Sequence, residues 1–412
     1  MVHRKRTTCR ACSESQLRCF LSFGSVPLAN SFPRSPAEFF DEPVYPLDVY
    51  FCDRCSLVQL ADVIDPEVLF RNYIYVTGTS DTMASHNRRY AATLVDSLNL
   101  GDRDLVVEIA SNDGSLLRCL QQHGVRTLGI EPASNIAAIA SASGVETLNQ
   151  FFNSSTAQQV RESHGPAKVV IANNVLAHVD DTRDFLLGCK QLLEEDGHVI
   201  IEVPYLRDLL DQVEYDTIYH EHLCYFSATT LIRLCDTIGL SILRADRLRV
   251  HGGSLRIYAR PQDRCGGHSK DLPAVADQER AAGLTAFTRY ERFAADVQNH
   301  RLALLDLLET LNKDGRTVVG YGAPAKGNTL LNYCGIDTRL IPYTVDKNPM
   351  KVGLYTPGMH IPILPVSTLL DHQPDYVLIL AWNLSNEIMA QQQEYRDRGG
   401  RFIIPLPTPK VL

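Results

Sequence analysis

The residues of this chain best able to do chemistry fall into three groups. Of eleven cysteines, four form two Cys-x-x-Cys pairs, Cys9/Cys12 and Cys52/Cys55, and seven are scattered. In a reducing compartment such pairs are better explained by a metal than by disulfides, because two tight turns with two thiolates each close a tetrahedral Zn2+ site. Four protein sulfurs leave no position for a substrate, so that metal is structural; coincidental or redox cysteines are the alternative. The second group is Tyr219-His220-Glu221-His222, four consecutive titratable side chains flanked by apolar residues. Adjacent residues point in different directions in a helix or a strand, which weighs against a metal there and for acid–base work. A histidine takes a proton near neutral pH, an acidic partner fixes its tautomer, and a tyrosine hydroxyl donates to a developing enolate oxygen. Such a trio suits removal of a proton beside a carbonyl, which makes a carbon nucleophilic. His178, in Asn173-Asn174-Val175-Leu176-Ala177-His178, belongs with it unless it is a capping or core histidine.

The third group consists of ligand-binding turns. Leu105 to Ile109 reads as a strand running into Ala110-Ser111-Asn112-Asp113-Gly114 and then a helix, so backbone amides come close to a ligand. Glu108 and Asp113 would repel a pyrophosphate and the Gly-x-Gly-x-x-Gly spacing is absent, which disfavours a dinucleotide and favours a cation. Glu131 ends the next strand, where doubly wound folds grip a ribose diol. Glu108, Ala110 (where a glycine is usual), Asn112, Gly114 and Glu131 resemble motifs I and II of class I methyltransferases, which bind S-adenosylmethionine; Asn173, at a later strand end, joins that cofactor set. A second turn, Gly320-Tyr321-Gly322-Ala323-x-x-Lys326-Gly327-Asn328, has the wrong glycine spacing for NAD and a lysine that suits a phosphate or carboxylate. A purely structural turn is the alternative. Val345 to Lys351 is a weaker candidate wall, and Trp382, the lone tryptophan, either stacks on a base or packs.

Two α/β units are needed to position these groups. Apolar runs at Leu105 to Ile109, Val125 to Ile130, Lys168 to Ala172 and His198 to Val203 alternate with helix-length segments, which implies a parallel sheet covered on both faces. Leu240 to Leu248 and Ser254 to Arg260, joined by His251-Gly252-Gly253, read as an appended antiparallel hairpin. A helix is expected from about Asp81 to Leu98. Residues 261–275 form a candidate linker, followed by one long helix from about Ala276 to Leu311. A second series then places strands at Thr317 to Tyr321, Leu340 to Val345, Asp375 to Leu380 and Arg401 to Pro405. The fold class is α/β: a small zinc-binding domain over 1–75, a class I methyltransferase Rossmann-like domain over 76–270 and a C-terminal α/β Rossmann-like domain over 271–412. A 45% hydrophobic and 21% charged composition is ordinary for a soluble globular chain, and no apolar run reaches the ~18 residues of a membrane helix. With 40 basic against 48 acidic side chains, a nucleic-acid partner is disfavoured. The basic N-terminus lacks the apolar stretch of a secretory signal, so a cytoplasmic location is expected.

Taken in order, the two cysteine pairs, Glu108 to Gly114, Ala172 to His178, Tyr219 to His222, His251-Gly252-Gly253-Ser254 and Gly320 to Asn328 resemble the sugar 3-C-methyltransferases of deoxysugar pathways along nearly the whole chain. The resemblance implies a three-domain monomer that uses S-adenosylmethionine and structural zinc to methylate C3 of a dTDP-linked 4-keto-6-deoxy sugar. By position it makes His222 the base for the C3 proton, with Glu221 and Tyr219 orienting it or the sugar, and His178 near the 4-keto oxygen or the ring. One tyrosine of Tyr73 and Tyr75 completes the set, Tyr73 being favoured. Tyr75, His251, Ser254, Tyr321, Lys326 and Asn328 are the expected substrate contacts, Lys326 beside the diphosphate. An O-methyltransferase, which needs only a base and a hydroxyl, is the nearest rival.

Overall fold

A computed structural model describes residues 2–74, 81–248 and 252–412. Sheets of four, seven and six strands follow one another, with a two-stranded ribbon beside the first. In the first sheet Leu17–Pro27, Val44–Cys52 and Val58–Leu60 are antiparallel. Its fourth strand comes from far along the chain: Cys224–Tyr225 pairs with Val58–Leu60, Cys224 opposite Gln59. Leu47, Val49 and Phe51 of this sheet share one continuous core with Ile201, Val203, Tyr205 and Phe226. The N-terminal residues therefore lean on the middle of the chain as well as on their cysteines.

The central sheet has five parallel strands in the spatial order Thr147–Leu148, Arg126–Ile130, Leu105–Ile109, Ala167–Asn173 and Leu193–Pro204. Ser254–Pro261 runs antiparallel between Leu193–Pro204 and Leu240–Leu248, so the expected hairpin is built into the sheet edge. Leu105–Ile109 is buried throughout, as both faces are covered. The chain leaves this strand to one side and returns on the other at Ala167–Asn173, so a crevice opens at their carboxyl ends. The C-terminal sheet repeats the device. Val318–Tyr321 is central, Thr344–Asp346 and Ile363–Pro365 lie on one side, Tyr376–Ile379 and Arg401–Ile404 on the other, all parallel, with Lys410–Val411 antiparallel at the edge.

The single helix expected near 276–311 is two, Leu272–Ala281 and Phe287–Lys313. Gly283, at φ +82°, sits in the left-handed region that ends a helix. The first helix is turned inward so that buried Glu279 accepts the amides of Ala228 and Thr229 at 2.7 and 2.8 Å, capping the helix Ala228–Ile238. The candidate linker is fastened down as well: His268 Nδ1 accepts the Ile242 amide at 2.9 Å. Along Phe287–Lys313, Tyr290, Phe293 and Val297 pack into the core of the first two sheets, while Leu304, Leu308 and Leu311 pack into that of the third. Among the described residues no helix is long and apolar enough to cross a membrane.

Candidate active site

The two crevices face each other across one cavity of about 850 Å³. Its first wall is the turn after Leu105–Ile109, where Ala110, Asn112 and Gly114 all take positive φ, +53°, +49° and +71°. Only at Gly114 is the missing side chain essential, because a Cβ would meet Val145 Cγ2 at 2.8 Å. Glu131 is clamped by backbone: Oε2 accepts the Asn112 amide at 2.9 Å and Oε1 the Ala133 amide at 2.8 Å. Burial still raises its pKa against those two bonds. Glu108 is pushed well above the carboxylate range by burial and by Asp113 and Glu131. Buried Glu108 Oε2, Ser111 Oγ, Asn173 Oδ1 and Asn174 Oδ1 have no hydrogen-bond partner. A wall of orphaned acceptors beside a carboxyl held up in pKa fits a positively charged, donor-bearing ligand and not a dinucleotide. Glu108, Ala110, Asn112, Glu131 and Asn173 line the cavity; Gly114 shapes the turn from behind.

The second wall holds the titratable cluster. His222 Nδ1 lies 2.8 Å from the Thr217 carbonyl, so Nδ1 carries the proton and Nε2 offers its lone pair; Tyr219 Oη lies 2.8 Å from that Nε2 and donates to it. Burial and the neighbouring His178 hold the His222 imidazole well below its usual pKa, against the pull of the Thr217 carbonyl. His178 is stacked between Phe70 and His222, centroids 5.5 and 5.0 Å away, and burial pushes its pKa down to about 4. Both imidazoles are therefore neutral near pH 7. Glu221 does not reach His222. It accepts Tyr73 Oη at 3.2 Å and Asn30 Nδ2 at 2.8 Å, and burial pushes its carboxyl up to about 7 against those bonds and the Lys351 charge. Tyr73, His178, Tyr219 and His222 line the cavity, with Glu221 behind Tyr73. His220 turns away, its Nε2 3.2 Å from the Pro46 carbonyl.

The third wall is the C-terminal turn. Tyr321 and Lys326 line the cavity. Lys326 Nζ sits 4.8 Å from the Trp382 ring centroid, and Trp382 Nε1 donates to Asp216 Oδ2 at 2.6 Å, so the indole braces a lysine in place of a base. The Ala323 amide is already taken by Asp346 Oδ2 at 2.7 Å, which leaves side-chain ammonium groups as the cations of this wall. Two expected substrate contacts lie elsewhere. Asn328 is fully buried and donates to the Ala29 carbonyl at 2.7 Å, because the helix Ala325–Cys334 turns that face toward the N-terminal domain. Ser254 is buried in its strand opposite Pro204. Tyr75 and His251 lie outside the described residues. The sequence reading missed Asn30, which holds Glu221 from a loop of the N-terminal domain, and Phe70, which covers His178; neither has a spacing signal. It underrated Lys351, a buried ammonium donating to the Ala323 carbonyl at 2.7 Å on the cavity wall.

Away from the cavity, the sulfurs of Cys9, Cys12, Cys52 and Cys55 all lie within 4.8 Å of one another, with Cys9–Cys55 at 3.4 Å and Cys12–Cys52 at 3.6 Å. Tetrahedral Zn–S bonds of ~2.3 Å put sulfurs about 3.8 Å apart, so four thiolates here fit Zn2+. They form the only group of three or more metal-competent side chains among the described residues.

Three domain models match successive stretches of the chain. A zinc binding domain model matches residues 9–70, a methyltransferase domain model 83–245 and a C-methyltransferase C-terminal domain model 249–407. The chain is 38% identical over 407 residues to the C-methyltransferase NovU of Streptomyces niveus, covering 98% of this chain and 96% of that one. Among solved structures, magnesium protoporphyrin IX methyltransferase from Synechocystis PCC 6803 with bound SAM is 18% identical, aligned over 43% of this chain and 81% of its own, with a TM-score of 0.33. The PH0226 protein from Pyrococcus horikoshii OT3 is 13% identical over 48% of this chain and 96% of its own, with a TM-score of 0.37.

Proposed function

Because the chain belongs to the family of S-adenosylmethionine-dependent C-methyltransferases that includes NovU, we propose that it methylates C3 of a dTDP-linked 4-keto-6-deoxy sugar. S-adenosylmethionine supplies an electrophilic methyl group, and the residues that would hold it are Glu108, Asn112, Glu131 and Asn173. Membership of a C-methyltransferase family sets the O-methyl rival aside. Methylation at carbon needs a carbanion, and the observation that carries this reading is the Tyr219–His222 pair: a neutral imidazole with its Nδ1–H tied to Thr217 and its Nε2 accepting a phenol on the cavity wall.

The C3 proton passes to the Tyr219 oxygen as the phenol gives its own proton to His222 Nε2, so His222 ends as the imidazolium and the sugar as an enolate. The 4-keto oxygen is held by His178, whose Nε2 is buried without a protein partner. Tyr73, fixed by Glu221 and lying beside Phe70 on the cavity wall, packs against the sugar. Lys326 and Lys351 take the anionic diphosphate end, since both ammonium groups line the third wall. Two walls hold the donor and acceptor carbons together in one cavity, which converts a bimolecular step into one within a complex. Incubation of the enzyme with a dTDP-4-keto-2,6-dideoxy sugar in deuterated water, without methyl donor, tests the reading. Deuterium appears at C3; a bound substrate that exchanges none overturns the enolate route.

A further inference from the structure

The first cysteine knuckle ends on the active-site turns. Arg10 lies between Cys9 and Cys12 with its side chain fully buried. Its Nε donates to Asp180 Oδ1 at 3.0 Å, and its Nη1 donates to the Leu60 carbonyl and, at 3.3 Å, to Gln59 Oε1. Gln59 Oε1 also accepts the Arg10 amide at 3.1 Å. Asp180 stands two residues beyond His178 and accepts Arg4 and Arg6 as well. Gln59 and Leu60 lie on the strand that pairs with Cys224–Tyr225, and the Leu60 amide donates to the Leu223 carbonyl at 3.0 Å, one residue beyond His222. A single guanidinium thus touches both the turn that carries His178 and the strand that holds the segment of His222. An arginine needed only to close the knuckle would find its partners within the N-terminal domain, whereas this buried guanidinium pairs across the boundary with the partly exposed Asp180.

We propose that Arg10 is a positioning residue for methyl transfer: by gripping Asp180 and the Val58–Leu60 strand it sets how the His178 and His222 rings stand to each other, making the zinc knuckle part of the active-site frame. The inference rests on the reading that these two histidines serve the reaction. Displacement of a reacting group by about 1 Å costs on the order of 100-fold in rate, and removal of an outer partner of a functional group typically about 10–100-fold.

The test uses the zinc-loaded, full-length enzyme as Arg10→Gln, Asp180→Asn and the double variant. Each single change is expected to lower kcat about 10–100-fold with KM for the sugar nearly unchanged. The double variant should be no slower than the slower single, because both act through one contact. Zinc stoichiometry and S-adenosylmethionine affinity stay as in the parent, while the imidazole 15N resonances of His178 and His222 shift. Should Arg10→Gln lose zinc or melt, Asp180→Asn, outside the knuckle, carries the test alone. Unchanged kcat and unshifted imidazoles in Asp180→Asn overturn the proposal, as do losses that multiply in the double variant. A parent enzyme that exchanges no C3 deuterium sinks the functional reading instead, and the imidazole shifts then decide the positioning claim by themselves.

Discussion

Tyr219→Phe removes one oxygen from the cavity wall and tests the proton route directly. That oxygen lies 2.8 Å from His222 Nε2, and with Nδ1 committed to the Thr217 carbonyl, the Nε2 lone pair receives the phenol proton. If the C3 proton travels over the phenol oxygen, the variant loses a general acid–base relay worth about 10²–10⁴-fold, or about 2.7–5.5 kcal/mol of barrier at ~1.36 kcal/mol per tenfold. The cost in stability is smaller. One net hydrogen bond is worth about 0.5–1.5 kcal/mol, rising to about 3 kcal/mol if the buried imidazole nitrogen is left unpaired, so the variant folds. The assay is the rate of deuterium incorporation at C3 followed by NMR without methyl donor, with a thermal melt as control. Exchange at the parent rate in Tyr219→Phe refutes the relay. His222→Asn, run alongside, abolishes exchange and leaves cofactor affinity intact; loss of cofactor binding there means that His222 belongs to the other wall.

Three further outcomes follow from the charges and the metal. If Glu108 holds the cationic donor it does so when ionised, and burial beside Asp113 and Glu131 raises its pKa; calorimetry should then show S-adenosylmethionine affinity falling as pH drops through that raised pKa, and Glu108→Gln should bind weakly with no such dependence. Glu221, pushed up to about 7, becomes the charged acceptor of Tyr73 only above that pH, so kcat rises with pH through about 7 and Glu221→Gln flattens that limb; an identical profile in the variant argues against the Glu221–Tyr73 pairing. Because this folded-state pKa lies above the ~4.3 of an exposed glutamate, the native state holds the extra proton between those values and Glu221's contribution to stability declines as pH rises across them. Stripping zinc with a chelator should unfold the first two sheets in a single transition, since they share one core; a small early transition with the rest of the melt unchanged contradicts that continuity.

How much of this was legible in the sequence depends on the range of the interaction. Leu105–Ile109 coincides with its expected bounds because a covered strand is a run of apolar residues whatever surrounds it. The cysteine spacing likewise announces its own geometry. Ile363–Pro365 escaped notice, being three residues long and ending in proline. Glu279 reads as an exposed helix residue until its cap on a distant helix is seen. The motif Tyr219-His220-Glu221-His222 marked the right segment, but its order on paper suggests that Glu221 serves His222, whereas the turn closed by the His222 amide on the Tyr219 carbonyl at 2.9 Å brings Tyr219 to His222 and leaves the carboxylate to Asn30 and Tyr73. Asn328 sits in the glycine turn's motif yet faces the opposite side of its helix. Identity of a chemical group was readable locally; its partner was set by chain that returns from elsewhere.

The pairing of Cys224–Tyr225 with Val58–Leu60 bears on how the polypeptide is made. The cysteine knuckles leave the ribosome long before the strand that completes their sheet, so during synthesis the edge of Val58–Leu60 stands open and offers its amides and carbonyls to any other extended chain. An excised fragment ending near residue 75 would keep that open edge and should self-associate even when saturated with zinc. For the same reason a chimaera that exchanges the N-terminal domain between relatives must carry the Leu223-Cys224-Tyr225 stretch with it, and the histidine immediately before that stretch travels on the same graft.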